Sequence, residues 1–364
     1  MSAATPIPYH PSVEQPRTDE AAIHAQMLAT FAKIQETTLG DYGRAVRGVH
    51  AKAHGLLTGR LDVLDGLPPE LAQGLFERPG SYEAVLRFST NPGDILDDSV
   101  STPRGLALKI VGVEGERLEG SEGTTQDFVM ANAPAFTAAD DAAFLKSLKL
   151  LAATTDTPQV FKKAFSAVLR GVESALESIG TKSPTLISLG GHPETHLLGE
   201  TFYSQVPLRW GAYVAKVAVA PVSPELTALT GASLNVNGRP DGLREAVTAF
   251  FAEHEAVWEL RAQLRTDEET MPVEDASKPW PEDESPYVAV ARLRVPRQAA
   301  WSEDAVRAID EGLAFNPWHA LAAHRPLGAI MRARRAAYPA SARFRAERNG
   351  CPIHEPGGRG PSGA

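Results

Sequence analysis

The stretch RGVHAKAHG, Arg47–Gly55, reads as a β-strand. Alternation along such a strand puts Arg47, Val49 and Ala51 on one side and His50, Lys52 and His54 on the other. The strand would run from Ala45 to His54, and the same character continues outward. Leu57–Val63, Tyr82–Ser89, Leu106–Val113 and Asp127–Ala131 are short, often β-branched, and separated by Gly, Pro and Asp. Strand follows strand without an intervening helix. That order predicts an antiparallel sheet or barrel and excludes an alternating βαβ layout.

On either side of this run the period changes. Thr18 and Glu20 open an apolar-periodic helix through Ile23, Met27, Phe31 and Ile34. Asp140 caps a second helix, Asp141–Leu151, and a third runs from Pro158 to Ile179. Ser183–Gln205 reads as a loop-rich crossing. Strands return at Gly211–Ala220 and Tyr287–Val295, with a helix-like segment around Leu243–Leu264 between them. Asp267–Glu284 is acidic and reads as a surface loop. Helices at Ser302–Leu313 and Leu321–Arg345 close the chain. There is no internal repeat and no linker long enough to cut the chain. The expected organisation is a flexible arm over residues 1–18, one domain over 19–349, and a disordered Gly/Pro-rich tail over 350–364.

The chain has 364 residues, enough for one large domain or two ordinary ones, and 43% hydrophobic against 22% charged residues allows a core that encloses a flat cofactor. A net charge of −9 argues against a nucleic-acid partner. The single cysteine, Cys351, excludes an intramolecular disulfide and a thiolate metal cluster. The N-terminus lacks the basic-then-apolar pattern of a signal peptide, and no apolar run reaches the ~20 residues of a membrane span. The expectation is a cytoplasmic protein with no membrane partner.

Near the end stands RARRAAYPASARFRAER, Arg332–Arg348. Arg334, Tyr338, Ser341 and Arg345 are spaced i, i+4, i+7, i+11 and would share one helical face. A guanidinium beside a phenol favours the phenolate, which is a hard anionic ligand that haem iron accepts. The other reading is a basic amphipathic helix whose Tyr simply packs. Pro339 is expected to kink or interrupt this helix. His50 likewise has three readings: general acid/base, ligand, or hydrogen-bonded core residue. In GGHPETH, His192 and His196 lie four apart, but Gly-Gly and Pro argue for a structural loop.

Five stretches, in order, resemble the haem catalase superfamily: V-H-A-K at Val49–Lys52, R-F-S-T at Arg87–Thr90, P-R-G-x-A-x-K from Pro103, D-x-V-x-x-N-x-P from Asp127, and R-x-x-x-Y-P-x-S-x-R-x-R from Arg334. FNPWHALAAHRPLGAI, Phe315–Ile330, resembles the short catalase-like proteins more than the large enzymes. The resemblance implies an α+β fold with a central antiparallel β-barrel, and surrounding helices that enclose haem b. It implies His50 as the distal acid/base, oriented by Ser89, with Val49 narrowing access to the iron. It implies Phe144 stacked on the haem, Tyr338 as the proximal iron ligand, and Arg334 holding that Tyr as phenolate. Arg47, Arg87 and Arg345 match arginines near the haem carboxylates, where guanidiniums pair bidentately.

One departure bears on activity. The family's distal Asn falls on Ala131, and its neighbour matches Asn132, which a local bulge would have to aim inward. Losing one positioned donor is worth on the order of 10²–10³ in rate. The implied function is therefore haem-dependent oxidation driven by hydrogen peroxide or organic peroxides, through a ferryl intermediate. Its partners would be a small peroxide and a reductant, and its catalase activity weak. The alternatives are a haem-binding sensor or carrier without turnover, and rearrangement of a fatty-acid hydroperoxide. The short N-terminal arm points to a monomer or homodimer.

Overall fold

The computed structural model describes residues 5–121, 123–154 and 193–356. The expected helix over Pro158–Ile179, residues 183–192 of the expected crossing, and the tail beyond 356 lie outside them.

Among the described residues nine strands form one antiparallel sheet: β1 Ala53–Val63, β2 Gly80–Thr90, β3 Arg104–Val111, β4 Thr125–Ala131, β5 Phe202–Tyr203, β6 Leu208–Trp210, β7 Tyr213–Pro221, β8 Ala256–Leu264 and β9 Val288–Val295. Their order is β5-β4-β3-β2-β1-β9-β8-β7-β6, and β5 also pairs with β7. That pairing closes an eight-strand barrel, with β6 continuing along the edge of β7. Closure leaves no open edge among the eight. The interior is apolar: Leu57, Leu61, Leu86, Phe88, Leu108, Phe128, Phe202 and Trp258 are all buried there. Phe88 packs edge-on to Phe202, with ring centroids 5.6 Å apart. The α+β barrel expectation is met.

The period-2 pattern that buries these side chains turns their neighbours outward. Ala107 and Val129 thus lie on the outer face, next to Phe315 and Ile309. Helices cover that face: α1 Glu20–Tyr42, α2 Asp141–Thr154 and α4 Ala329–Asn349, while α3 Gly242–Glu253 packs beside β1. Ile23, Met27, Leu148 and Ala333 join α1, α2 and α4 in a second apolar cluster.

Several expectations are corrected. Arg47–Lys52 is not strand, because β1 starts at Ala53 and His50 has φ +53. The expected division of faces over residues 47–52 therefore does not hold. Leu243–Leu264 is helix only to Glu253; β8 begins at Ala256, where Ala256, Trp258, Leu260 and Ala262 are buried in strict alternation. The last helix starts at Ala329, after Gly328 at φ +85, and not at Leu321. It runs on through Pro339 without interruption. Pro339 is exposed, while Ala333 before it and Arg345 after it are buried and hold the helix across the one lost N–H. Ser302–Leu313 is helical over Glu303–Ala305, then widens to a π-helix over Val306–Glu311.

Both ends of the described chain are attached to the body. In the expected arm, Ile7 N–H donates to Arg265 O and Tyr9 N–H to Ala212 O. Glu14 meets Arg325 and Arg332. Arg332 on α4 also reaches Glu20 on α1 at 2.6 Å and Glu274 at 2.9 Å, so one guanidinium joins the arm, α1, a loop and α4. At the other end, Glu355 reaches buried Lys109 at 2.6 Å.

Candidate active site

His50 sits on a short irregular segment laid against residues 91–93. His50 N–H donates to Asn91 O (2.7 Å) and Ala51 N–H to Pro92 O (3.0 Å). Gly93 allows this approach, since a Cβ there would lie 2.4 Å from Gly48 O. A left-handed backbone at a non-glycine costs about 1–2 kcal/mol and is held by such contacts. It turns the imidazole toward β2, where Nδ1 lies 3.1 Å from Ser89 Oγ. Gly105 on β3, paired with Ser89, leaves room for the ring; a Cβ there would sit 2.6 Å from His50 Cε1.

Burial first, then the charges of Arg87, Arg334 and Arg47, lower the His50 pKa to about 3. The ring is neutral at physiological pH. If Nδ1–H goes to Ser89, Nε2 is the free base.

Across the cavity stands α4. Tyr338 and Ser341 line it with His50, Val49, Arg47, Arg87, Ala107, Val129, Phe315 and Arg345, enclosing about 770 Å³ with the part open to solvent. Among the described residues, the Tyr338 hydroxyl has no hydrogen-bond partner. A second, wider space of about 1450 Å³ adjoins it, sharing Val49, His50, Val129 and Tyr338 and extending to Phe136, Phe144 and Leu148. Arg334 lines this space. Its guanidinium stands 5.6 Å from the Phe136 ring centre, with Nη1 3.9 Å from Met331 Sδ. No hydrogen bond joins Arg334 to Tyr338 among the described residues.

At one edge of the first cavity two guanidiniums share the Asp310 carboxylate and a third holds its backbone carbonyl. Asp310 Oδ1 accepts from Arg47 at 2.5 Å and from Arg87 at 2.7 Å. Arg345 donates to Asp310 O at 3.1 Å and to Leu313 O at 3.2 Å. Arg87 and Arg345 are buried. Burial and mutual repulsion show in the titrations. Arg47 is driven well below the usual guanidinium range, by burial first and then by Arg345 and Arg87. Arg345 is lowered to about 10, burial and Arg87 outweighing the help of Asp310. Asp310 is held below the ordinary carboxylate range, Arg87 and Arg47 overcoming its burial. Among the described residues the Arg345 Nε is buried without a partner. Such an edge, with cation excess and a spare donor, suits an anionic group.

The sequence-derived candidates His50, Ser89, Arg47, Val49, Arg87, Arg345 and Tyr338 meet in the first cavity. Phe144 and Arg334 lie in the second. Asn132 lines neither. Its Oδ1 accepts from Arg104 N–H (2.9 Å) and its Nδ2 donates to Glu200 Oε2. Ala131, at the position of the family's amide, does line the wider space. Asp310 and Phe315 were not singled out from sequence. Asp310 belongs to an ordinary-looking Ile-Asp-Glu-Gly helix end, and no local pattern marks it. In GGHPETH, His192 lies outside the described residues, and His196 accepts from Leu198 N–H at 3.2 Å. Among the described residues no group of His, Cys, Asp and Glu could hold a metal ion. No described helix is long and apolar enough to cross a membrane.

No family model matches the chain, and no curated protein sequence does. Solved structures do match. A fungal catalase aligns with TM-score 0.59 and 22% identity over 86% of this chain. Catalase A from Saccharomyces cerevisiae aligns with TM-score 0.58 and 18% identity over 99% of this chain and 73% of its own. A bacterial catalase aligns with TM-score 0.54 and 17% identity over 97% of this chain and 66% of its own. The chain spans 62% of the length of the fungal catalase. The barrel and its helical cover are therefore a catalase-like fold.

Proposed function

We propose that this chain holds haem b between His50 and Tyr338 and acts on hydrogen peroxide or an organic peroxide as a haem-dependent oxidoreductase. The observation that carries this reading is one cavity bounded by an imidazole set against a hydroxyl, a phenol with no hydrogen-bond partner among the described residues, and three arginines gathered at Asp310. The residues fit the group. Tyr338 supplies an oxygen ligand, Ala107, Val129 and Phe315 an apolar wall, and Arg47, Arg87 and Arg345 a charge excess for two carboxylates.

When bound, the iron supplies the redox chemistry. The chain's own residues do the rest. His50, neutral and held by Ser89, takes the proton from an incoming peroxide and returns it to the departing oxygen. Arg334, one turn before Tyr338 on α4, lends positive charge to the ligand side. Val49 narrows the approach. The wider apolar space past Phe136 and Phe144 admits a peroxide carrying an apolar group.

Asn132, bonded to Arg104 and Glu200, supports a second reading, a haem carrier or sensor without turnover. One assay separates the two. Peroxide consumption by the haem-loaded protein should drop on the order of 10²-fold or more in His50→Ala, with the haem spectrum kept. Turnover that is absent in wild type, or equal in both proteins, rejects the enzymatic reading.

A further inference from the structure

Lys109 on β3 is fully buried, two residues along the outer face from the cavity residue Ala107. Its ammonium lies 2.9 and 2.8 Å from the two oxygens of Asp127, its cross-strand partner on β4. A third carboxylate oxygen comes from far along the chain. Glu355 Oε2 accepts from Lys109 Nζ at 2.6 Å and from Thr125 Oγ1 at 3.0 Å. Glu355 Oε1 is 3.1 Å from His319 Nδ1. Asp127 meanwhile binds the same loop that carries His319: Oδ2 accepts from Asn316 N–H at 2.8 Å, and Asp127 N–H donates to His319 O at 2.9 Å.

The segment next to Glu355 touches that loop at its other end. His354 N–H donates to Gly312 O at 3.0 Å. Between Gly312 and His319 lie Ala314 and Phe315, which line the first cavity. Leu313 lies there too, and its carbonyl accepts from both Arg47 and Arg345. The C-terminal segment therefore grips both ends of one cavity wall.

We propose that residues 351–356 form a strap across the Gly312–His319 wall and that Glu355 is its positioning residue, keeping Phe315 and the Leu313 carbonyl in place. Without Glu355, Lys109 and His319 face Asp127 alone, with Arg117 adding further positive charge from the neighbouring turn. A buried cation excess of this kind is relieved by opening the loop to water. Burial opposes the His319 charge, yet its bonds to Asp127 and Glu355 raise its pKa to about 9. That value lies above the unfolded one. The part of the strap's contribution that rests on the His319 charge is thus full below about pH 6.5 and is lost as pH rises through about 9, while the Lys109–Glu355 pair stays.

The test is hydrogen exchange at the Asn316, Trp318 and His319 amides, made on the full-length haem-free protein in wild type, Glu355→Gln and Glu355→Ala. The Gln variant keeps the shape and removes the charge, so it remains informative where the Ala variant unfolds. The expected result is exchange faster by on the order of tenfold at those amides in Glu355→Gln, with the β2 amides unchanged. Haem-loaded Glu355→Gln should also release haem to an acceptor protein several-fold faster at pH 7, and the wild-type rate should rise toward the variant's above pH 9. Unchanged exchange at 316–319 in a folded Glu355→Gln overturns the strap. The exchange readout does not use haem, so a wild type that binds none overturns the proposed function separately.

Discussion

At the scale of the residue, Gly105 is the most sensitive position near His50. A single methyl there would occupy the space of the His50 ring edge and press on Ser89 Oγ. Gly105→Ala should lower peroxide consumption by at least tenfold while haem binding stays intact, because the arginine cluster and Tyr338 are untouched; steady-state kinetics beside a haem titration would check this. The lowered His50 pKa gives a second expectation. An ordinary histidine would protonate near pH 6.5, whereas this one stays neutral down to about pH 3. The rate of peroxide consumption should show no break between pH 5 and 8 assignable to His50. A fall centred near 6.5 would contradict the environment derived for this ring. The candidate site was legible largely as residue types at known spacings. His50, Ser89, Tyr338 and the three arginines could be named from sequence. Asp310 could not, because its partners come from three other stretches and only the fold assembles them.

At the scale of the element, the segment ending in Asp310 and the helix α4 hold the arginine edge together. Replacing the carboxylate by a neutral amide in Asp310→Asn keeps an acceptor oxygen but takes away the negative charge that faces Arg47 and Arg87. This should destabilise the haem-free protein by about 3 kcal/mol, read as a lower midpoint in denaturant. The folded-state pKa of Asp310 is depressed. Its stabilisation is therefore present above the unfolded value near 4 and is lost progressively as pH falls from there through the depressed folded value. If haem binds as proposed, its carboxylates would bring negative charge to the same edge. The denaturation midpoint of Asp310→Asn should thus gain more from haem than that of wild type. Elements were legible where one period dominated. β2, β3 and β4 begin and end within two residues of their expected bounds. β8 was hidden because the 3.6 period of α3 runs almost into it, with only His254 and Glu255 between them. His50 was misplaced on a strand for another reason. Tertiary bonds to Asn91 and Pro92, not local propensity, set its left-handed backbone.

At the scale of the whole molecule, a barrel is completed by helices that must be fastened to its outer face, and Arg332 is one fastener. It gathers Glu14, Glu20 and Glu274 from three separated stretches onto α4. Arg332→Met should lower the thermal midpoint by several degrees and weaken haem retention, since α4 also carries Tyr338. A melt at two salt concentrations would separate this part-buried network from the exposed pairs, which salt screens more strongly. The central claim is that Tyr338, opposite His50, ligates haem iron. The most direct measurement is a haem titration of wild type and Tyr338→Phe followed by absorption spectroscopy. The expected result is one haem per chain, with a ferric spectrum of oxygen-ligated iron in wild type, and loss or a marked shift of that spectrum in Tyr338→Phe. The same spectrum in both proteins, or no stoichiometric haem binding by wild type, would contradict it.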